Sequence, residues 1–139
     1  MNAMLAALQN VRSKFLERDF DLLAFRVHER TVTHRIAVYL EEEFQNWHVD
    51  CEYNRQGIGG DPKDDWIGGR RFPDIIVHRR GFDDNLLVIE AKPAWASKKS
   101  QEIDRGKLAA IAEKYGYQFA FVLSYSSGKK PDLWFTPLE

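Results

Sequence analysis

Two short segments of the chain carry residue types that could hydrolyse a phosphate ester. Asp74 precedes the apolar run Ile75–Val77, and Glu90 and Lys92 end the next apolar run. Carboxylate oxygens are ligands that Mg²⁺ prefers, and a bound divalent cation can activate water and polarise a phosphate. A neighbouring ammonium group can offset the negative charge that develops during the attack. The pattern therefore predicts metal-assisted hydrolysis of a phosphodiester.

The two apolar runs predict adjacent antiparallel strands, Phe72–Arg79 and Asn85–Lys92. A turn centred near Phe82 would put Asp74 opposite Glu90, with their Cβ atoms roughly 4.5–5.5 Å apart. Two carboxylates at that distance repel each other unless a cation or a proton lies between them. The alternative is that these side chains merely reach solvent where the strands end, because short motifs also match by chance.

A third carboxylate lies on a helix predicted before these strands. Glu29 falls within about 60° of the apolar stripe of that helix, at 100° per residue, so its side chain is expected to point toward the sheet. It could be a further metal ligand, or it could form an ordinary ion pair with Arg26 or Arg30. The histidines lack zinc-ligand spacing. His34 is expected to face outward, and His78, on the expected site face, could at most contact substrate.

The remaining pattern supplies the elements that position these residues. Helices are predicted at Ala3–Arg18, from Asp19 or Asp21 to about Phe44, and at Lys99–Tyr115, with Gly116 ending the last. Strands are predicted at Trp47–Arg55, Phe72–Arg79, Asn85–Lys92 and Tyr117–Tyr125, with a short edge strand at Asp132–Pro137. The sequence therefore predicts one α/β domain over residues 1–139.

Three features outside the strand motif allow two interpretations each. Cys51 alternates with polar residues, which favours a buried strand thiol over a nucleophile. The glycine-rich segment Gln56–Arg70 reads as a loop, either a flap that contacts substrate or a surface insertion without a role. Trp66 and Trp95 could stack on unpaired bases, although core packing is favoured for Trp95 because aromatic side chains dominate cores.

Composition limits the class of protein. The chain has 139 residues, of which 44% are hydrophobic and 13% aromatic, which is typical of a globular domain. No apolar run approaches the roughly 20 residues that span a bilayer, and no secretory signal is evident at the start. A soluble cytoplasmic protein without a membrane partner is expected. The net charge of −1 is low for a nucleic-acid-binding protein, whose phosphate contacts usually come from a basic surface.

The residues Pro73-Asp74, Glu90-Ala91-Lys92 and Glu29, together with the predicted element order, resemble the PD-(D/E)XK nuclease superfamily. The resemblance implies a restriction-endonuclease-like fold. In that α/β fold a three-layer αβββαβ core surrounds a mixed central sheet. The core would cover about residues 21–127, and residues 1–20 would form an N-terminal helical extension.

The resemblance also implies a function, namely a Mg²⁺-dependent endonuclease that cleaves phosphodiester bonds of DNA or, less often, of RNA. Mn²⁺ is expected to substitute for Mg²⁺. By position, Asp74 and Glu90 would be catalytic metal ligands, Lys92 would orient or activate the water, and Glu29 would be an additional ligand. Some members act as dimers, so a homodimer is a further expectation. The alternative is a catalytically inactive module of the same fold that binds nucleic acid or protein.

Basic residues near the motif are candidates for binding the phosphate backbone. They are Arg70, Arg71, Lys98, Lys99 and Lys107. Arg105 could join them, or it could pair locally with Asp104. Because surface charges are most often only solvated, these assignments depend on the site to which the residues are adjacent.

Overall fold

In the part of the chain that the structure describes, five strands pair into one mixed, open sheet whose spatial order follows the chain, β1-β2-β3-β4-β5. The computed structural model describes residues 1–53 and 73–138. In that part the helices are α1 (Asn2–Arg18), α2 (Phe20–Ala24), α3 (Glu29–Glu43) and α4 (Lys98–Tyr115). The strands are β1 (His48–Cys51), β2 (Ile75–Arg79), β3 (Asp84–Pro93), β4 (Phe119–Ser126) and β5 (Asp132–Pro137). The predicted α/β class is confirmed, and the predicted edge strand is present as β5.

The centre of the sheet is apolar on both faces. β2 and β3 are antiparallel, and the predicted pairing of Ile76 with Val88 is confirmed. β3 and β4 are parallel and are joined through α4, as expected because a parallel pair requires a crossover connection. Successive side chains of β2 are fully buried on alternate faces, which requires cover on both sides.

Helices supply that cover in two layers. α1 and α3 lie against the face formed by Ile75, Val77, Leu87 and Ile89, in the larger of two apolar cores. α4 packs its buried Leu108 and Ile111 on the opposite face, against Ile76 and Val88. The motif strands are therefore held between helices, and the charged ends of β2 and β3 are positioned by packing on both sides.

The N-terminal helix is part of the larger core. Val11 and Phe15 are fully buried against it, and α1 packs along α3. The Arg12 guanidinium also donates to the Leu133 carbonyl at 2.7 Å and to Asp132 at 2.8 Å, which ties α1 to the edge strand β5.

The prediction of one helix from Asp19 or Asp21 to about Phe44 is wrong. The chain forms α2, leaves helical geometry at Arg26 (φ 52°) and begins α3 at Glu29. A non-glycine residue in the left-handed region cannot continue a right-handed helix. The His28 ring then caps α3 by accepting from the Arg30 amide at 3.1 Å.

Two further predictions about single residues have opposite outcomes. Gly116 ends α4 in the left-handed conformation (φ 66°), which confirms the predicted helix stop. The prediction of a buried strand thiol at Cys51 is wrong, since the residue is exposed. It is the last residue of β1, the outermost strand among the described residues, and it lines a cavity. Within residues 1–53 and 73–138, no helix is both long and apolar enough to cross a bilayer.

Candidate functional site

Asp74 and Glu90 are linked, where β2 begins and β3 ends, by two hydrogen bonds from backbone amides to their side-chain carboxylates. The Asp74 amide donates to Glu90 Oε1 at 3.2 Å, and the Ala91 amide donates to Asp74 Oδ2 at 2.7 Å. Each carboxylate thus accepts from the backbone beside the other acid. Glu90 is only 5% exposed, and a charge so buried is tolerated only when it is paired or hydrogen-bonded. The predicted proximity of the two acids is confirmed.

Lys92 lies two residues beyond Glu90 and turns toward α4. Its Nζ is 2.5 Å from Asp104 Oδ2, in an ion pair whose two side chains are both about one quarter exposed, at 23% and 24%. Side-chain alternation along β3 places Glu90 and Lys92 on this face, opposite to Ile89 and Ala91 in the larger core. Asp104 therefore holds the ammonium group beside the two acids.

Glu29 approaches from the first turn of α3. Tyr125, near the end of β4, donates its hydroxyl to Glu29 Oε1 at 3.5 Å, which is a long hydrogen bond. Burial and then the Asp74 carboxylate raise the pKa of Glu29, against the opposing effect of Lys92. Burial and the charge of Glu29 likewise raise the pKa of Tyr125, so the phenol remains a donor. Glu29 and Asp74 are thus close enough for their charges to interact.

The site residues are divided between two recesses. Glu29 and Asp74 line a cavity of about 410 Å³ together with Arg30, Cys51 and other residues of α3 and β1. Glu90, Lys92 and Asp104 line a much smaller recess beside α4. Because α3 and α4 cover opposite faces, Glu29 and Glu90 reach Asp74 from different sides of the sheet. In residues 1–53 and 73–138, no three His, Cys, Asp or Glu side chains are grouped so as to hold a metal ion.

Glu29 forms neither of the ion pairs that the sequence left open. Arg26 lies over the Trp95 ring instead, with Cζ 4.2 Å from the ring centroid. Arg30 lies 4.0 Å from Glu52 in an exposed pair. Glu29 is therefore a half-buried carboxylate with a tyrosine donor. The Asp74 charge is close enough to help raise the pKa of Glu29.

The predicted basic residues have different surroundings. Lys98 and Lys99 are exposed in the first turn of α4, and Lys107 is half-buried further along the same helix. Arg70 and Arg71 lie outside the described residues, as do Trp66 and the predicted loop Gln56–Arg70.

The interpretation of His78 as a possible substrate contact is not supported by its surroundings. Its ring is almost fully buried, with Nε2 2.7 Å from Asp50 Oδ2 and Tyr53 stacked edge-on at 4.6 Å. Although burial opposes it, hydrogen bonding from Arg80 and His78 lowers the pKa of Asp50. This cluster ties β1 to β2 at the end remote from Asp74. His34 is exposed, as predicted.

Sequence reasoning missed Asp104 and Tyr125 as members of the site. A signal existed for Asp104, which lies one turn before the buried Leu108 and therefore on the face of α4 that meets the sheet. Tyr125 pairs with Pro93 in the parallel β3–β4 ladder, so the end of β4 lies beside the end of β3. That adjacency depends on the strand order, which a single sequence does not specify.

The preference for core packing of Trp95 is wrong. Its side chain is 48% exposed, because β3 ends at Pro93 and the chain leaves the sheet before α4 begins.

Comparisons with protein-family models, with curated proteins and with solved structures give no match to this chain.

Proposed function

We propose that the chain is a metal-dependent nuclease of the PD-(D/E)XK superfamily, with the restriction-endonuclease-like form of the α/β fold. It would hydrolyse phosphodiester bonds of nucleic acid, with DNA as the favoured substrate. The observation that carries the proposal is the reciprocal bonding of Asp74 and Glu90 at adjacent strand ends, with Lys92 two residues away.

The donor set suits Mg²⁺, or Mn²⁺ in its place. Mg²⁺ usually takes one or two protein carboxylates and completes its octahedron with water and phosphate oxygens, so a preformed cage of three acids is unnecessary. Asp74 and Glu90 would be its ligands. A carboxylate has two oxygens with about four lone pairs, so the bond from the Ala91 amide leaves Asp74 able to coordinate. Glu29 would contribute from the α3 side, where it lines a cavity together with Asp74.

Each residue then has a defined task. A metal bound by Asp74 and Glu90 would lower the pKa of its water and polarise the phosphate. Lys92 would leave Asp104 for the phosphate oxygens and offset the negative charge of the transition state. Tyr125 would keep the Glu29 carboxylate oriented toward Asp74.

Cleavage assays test the proposal directly. Wild-type protein with Mg²⁺ or Mn²⁺ is expected to cut at least one of single-stranded, duplex or branched DNA, or RNA, and to cut none with EDTA. Asp74→Asn keeps a hydrogen-bond acceptor for Ala91, and Lys92→Met keeps side-chain length; each should reduce cleavage by about a hundredfold or more. Matched controls are Asp83→Asn in the β2–β3 turn and Lys114→Met in the last turn of α4, which change exposed residues at the end of the sheet opposite to Lys92. Absence of cleavage by the wild type with every metal and substrate would overturn the proposal.

Metal binding has an independent readout. A ligand that binds only the folded protein stabilises it, by about 2.7 kcal/mol at one hundred times its Kd. Mg²⁺ is therefore expected to raise the melting temperature in a saturable way, and Asp74→Asn should abolish that shift while Asp83→Asn should not. An equal shift in both variants would place the metal elsewhere.

A non-catalytic binding module is the second candidate. The observation that favours it is that Asp74, Glu90 and Lys92 all have partners within the protein, with Lys92 held by Asp104 at 2.5 Å. Such a module would bind nucleic acid without turnover, and Asp74→Asn would bind as tightly as the wild type.

A further inference from the structure

A half-exposed tryptophan lies close in sequence to the proposed catalytic lysine. Trp95 follows Lys92 by three residues, in the short connection between β3 and α4. Nearly half of its side chain is accessible, at 48%. An indole offers a large, rigid apolar surface, and this one is left open beside a polar site.

The Trp95 ring is held in place by two neighbours. Tyr125 meets it edge-on, with ring centroids 5.7 Å apart and planes at 87°. The Arg26 guanidinium lies over the ring, with Cζ 4.2 Å from the centroid. Arg26 is itself the only positive-φ residue in the turn between α2 and α3 within the described chain. Non-glycine residues adopt that conformation at a cost. The contacts with the Trp95 ring thus come from two parts of the chain that are remote in sequence, the turn before α3 and the strand β4.

The same stack is continuous with the site. Tyr125, whose ring supports Trp95, also donates its hydroxyl to Glu29. Tyr125 lies opposite Pro93 in the β3–β4 ladder, and Lys92 lies opposite Ser124, its neighbour in that ladder. Three residues of chain span at most about 11 Å, so a group bound on Trp95 would lie within a nucleotide or two of a phosphate at Lys92.

One cation contacts the exposed ring, and two more follow it closely in sequence. Arg26 lies on it, and Lys98 and Lys99 are exposed at the start of α4, three and four residues further along. An aromatic surface flanked by cations is how proteins bind single-stranded nucleic acid: bases stack on the rings and the cations contact the backbone. A purely apolar partner would gain nothing from these charges.

We propose that Trp95 is a stacking platform for an unpaired base of the strand whose phosphate lies at Asp74 and Lys92. The inference rests on the proposed function and narrows its substrate class. Because a base inside a duplex is already stacked on both sides, the substrate must offer an unpaired nucleotide next to the scissile phosphate, as in a single strand or at a branch. Base stacking on an aromatic side chain is sequence-tolerant, so little sequence preference is expected at this position.

Binding measured in EDTA tests the platform separately from catalysis. The probes are a single-stranded oligodeoxynucleotide that carries a fluorescent purine analogue and a blunt duplex of the same sequence. Wild-type protein is expected to bind the single strand more tightly and to quench the analogue. Trp95→Leu, which keeps apolar contact with Tyr125 but has no aromatic face, should weaken single-strand binding roughly 5- to 100-fold, as stacking energies predict, and remove the quenching. Duplex binding should be unchanged.

Two further variants complete the design. Trp95→Phe should retain most of the single-strand affinity, and Phe82→Ala, which removes an exposed aromatic ring in the β2–β3 turn, should retain all of it. Thermal melts of each variant establish that it is folded. Unchanged single-strand binding in Trp95→Leu, or an equal loss on single strand and duplex, would overturn the inference.

The inference and the proposed function can fail separately. A protein that binds single strands through Trp95 but cleaves nothing retains the platform and loses the nuclease assignment. A protein that cleaves with Mg²⁺ equally well after Trp95→Leu, on single-stranded and duplex DNA alike, retains the nuclease assignment and loses the platform.

Discussion

At the scale of single residues, the candidate site depends on two acids and on the two backbone amides that donate to them. Glu90 is only 5% exposed in a recess that Lys92, Asp104 and Val122 also line, and a buried carboxylate is unfavourable without hydrogen bonds. The Asp74 amide supplies one such bond, and Asp74 in turn accepts from Ala91. The bonds therefore hold the direction of the two side chains before any ligand binds.

Asp104 is expected to act as a positioning residue through Lys92. Asp104→Asn removes the charge that holds the ammonium group at 2.5 Å, so the Lys92 side chain should sample more conformations. We expect kcat to fall by roughly tenfold with little change in KM, since general positioning effects of this kind reach that size. Steady-state cleavage kinetics measure this split.

Two variants control for a merely structural role of Asp104. Asp104→Glu keeps the charge and should recover most of the activity. Glu102→Gln changes an exposed acid on the same helix and should leave kcat at the wild-type value. A tenfold fall in kcat for Glu102→Gln, or an unchanged kcat for Asp104→Asn, would contradict a positioning role for Asp104.

Glu29 should make stability depend on pH. Its pKa is raised in the folded protein, so the folded state binds more protons than the unfolded state between the ordinary carboxylate pKa and the raised one. Stability is therefore greatest below that window and falls as pH rises through it. Glu29→Gln keeps an acceptor for Tyr125 but has no charge, so it should melt higher than the wild type at neutral pH.

The difference between the Glu29→Gln and wild-type melting temperatures should shrink toward zero as the pH falls below the ordinary carboxylate range. Melting curves across acidic and neutral pH measure it. Glu17→Gln on α1 is the matched control, because Glu17 is exposed. Its melting temperature should equal that of the wild type at every pH. A Glu29→Gln protein less stable than the wild type at neutral pH would contradict the expectation.

At the scale of elements, two glycines have opposite roles in α4, one inside the helix and one just after its last residue. Gly116 ends the helix at φ 66°, whereas Gly106 lies inside it, and an added Cβ would meet no atom within 4 Å at either position. Backbone conformation alone should then decide the outcome. Gly116→Ala should destabilise by about 1–2 kcal/mol, and Gly106→Ala should stabilise by about 0.5–1 kcal/mol. Urea unfolding of both variants measures these changes, and equal signs would contradict the argument.

The sequence predicted the elements whose pattern is local. The apolar runs and the turn near Phe82 placed β2 and β3 correctly, because alternation and strand length are properties of neighbouring residues. It did not predict the break between α2 and α3, since the left-handed conformation of Arg26 leaves no trace in hydrophobic periodicity. Asp104 and Tyr125 were missed for a related reason, as both join the site through contacts between elements far apart in sequence.

At the scale of the whole molecule, the sheet separates two cores, and α1 belongs to the larger one. The prediction of an N-terminal extension outside the nuclease-like core therefore needs a test of its own. Phe15 is fully buried and meets Tyr39 of α3 edge-on at 6.4 Å, so Phe15→Ala should cost about 3–5 kcal/mol.

Leu5 supplies the control on the same helix. It is largely exposed, and Leu5→Ala should change the free energy of unfolding by about 0.5 kcal/mol or less. Urea unfolding followed by circular dichroism compares the two variants. If Phe15→Ala were as mild as Leu5→Ala, α1 would be an appendage to a domain that is stable without it.

The reciprocal bonding of Asp74 and Glu90 has a consequence for the history of such proteins. Replacing Asp74 removes the acceptor of the Ala91 amide, and replacing Glu90 removes that of the Asp74 amide, so both acids should be retained for folding alone. The pair of Lys92 and Asp104, about one quarter exposed, contributes less to folding and is freer to change. Under the proposed function, retention of the lysine rather than of the acids should therefore mark the relatives that cleave nucleic acid.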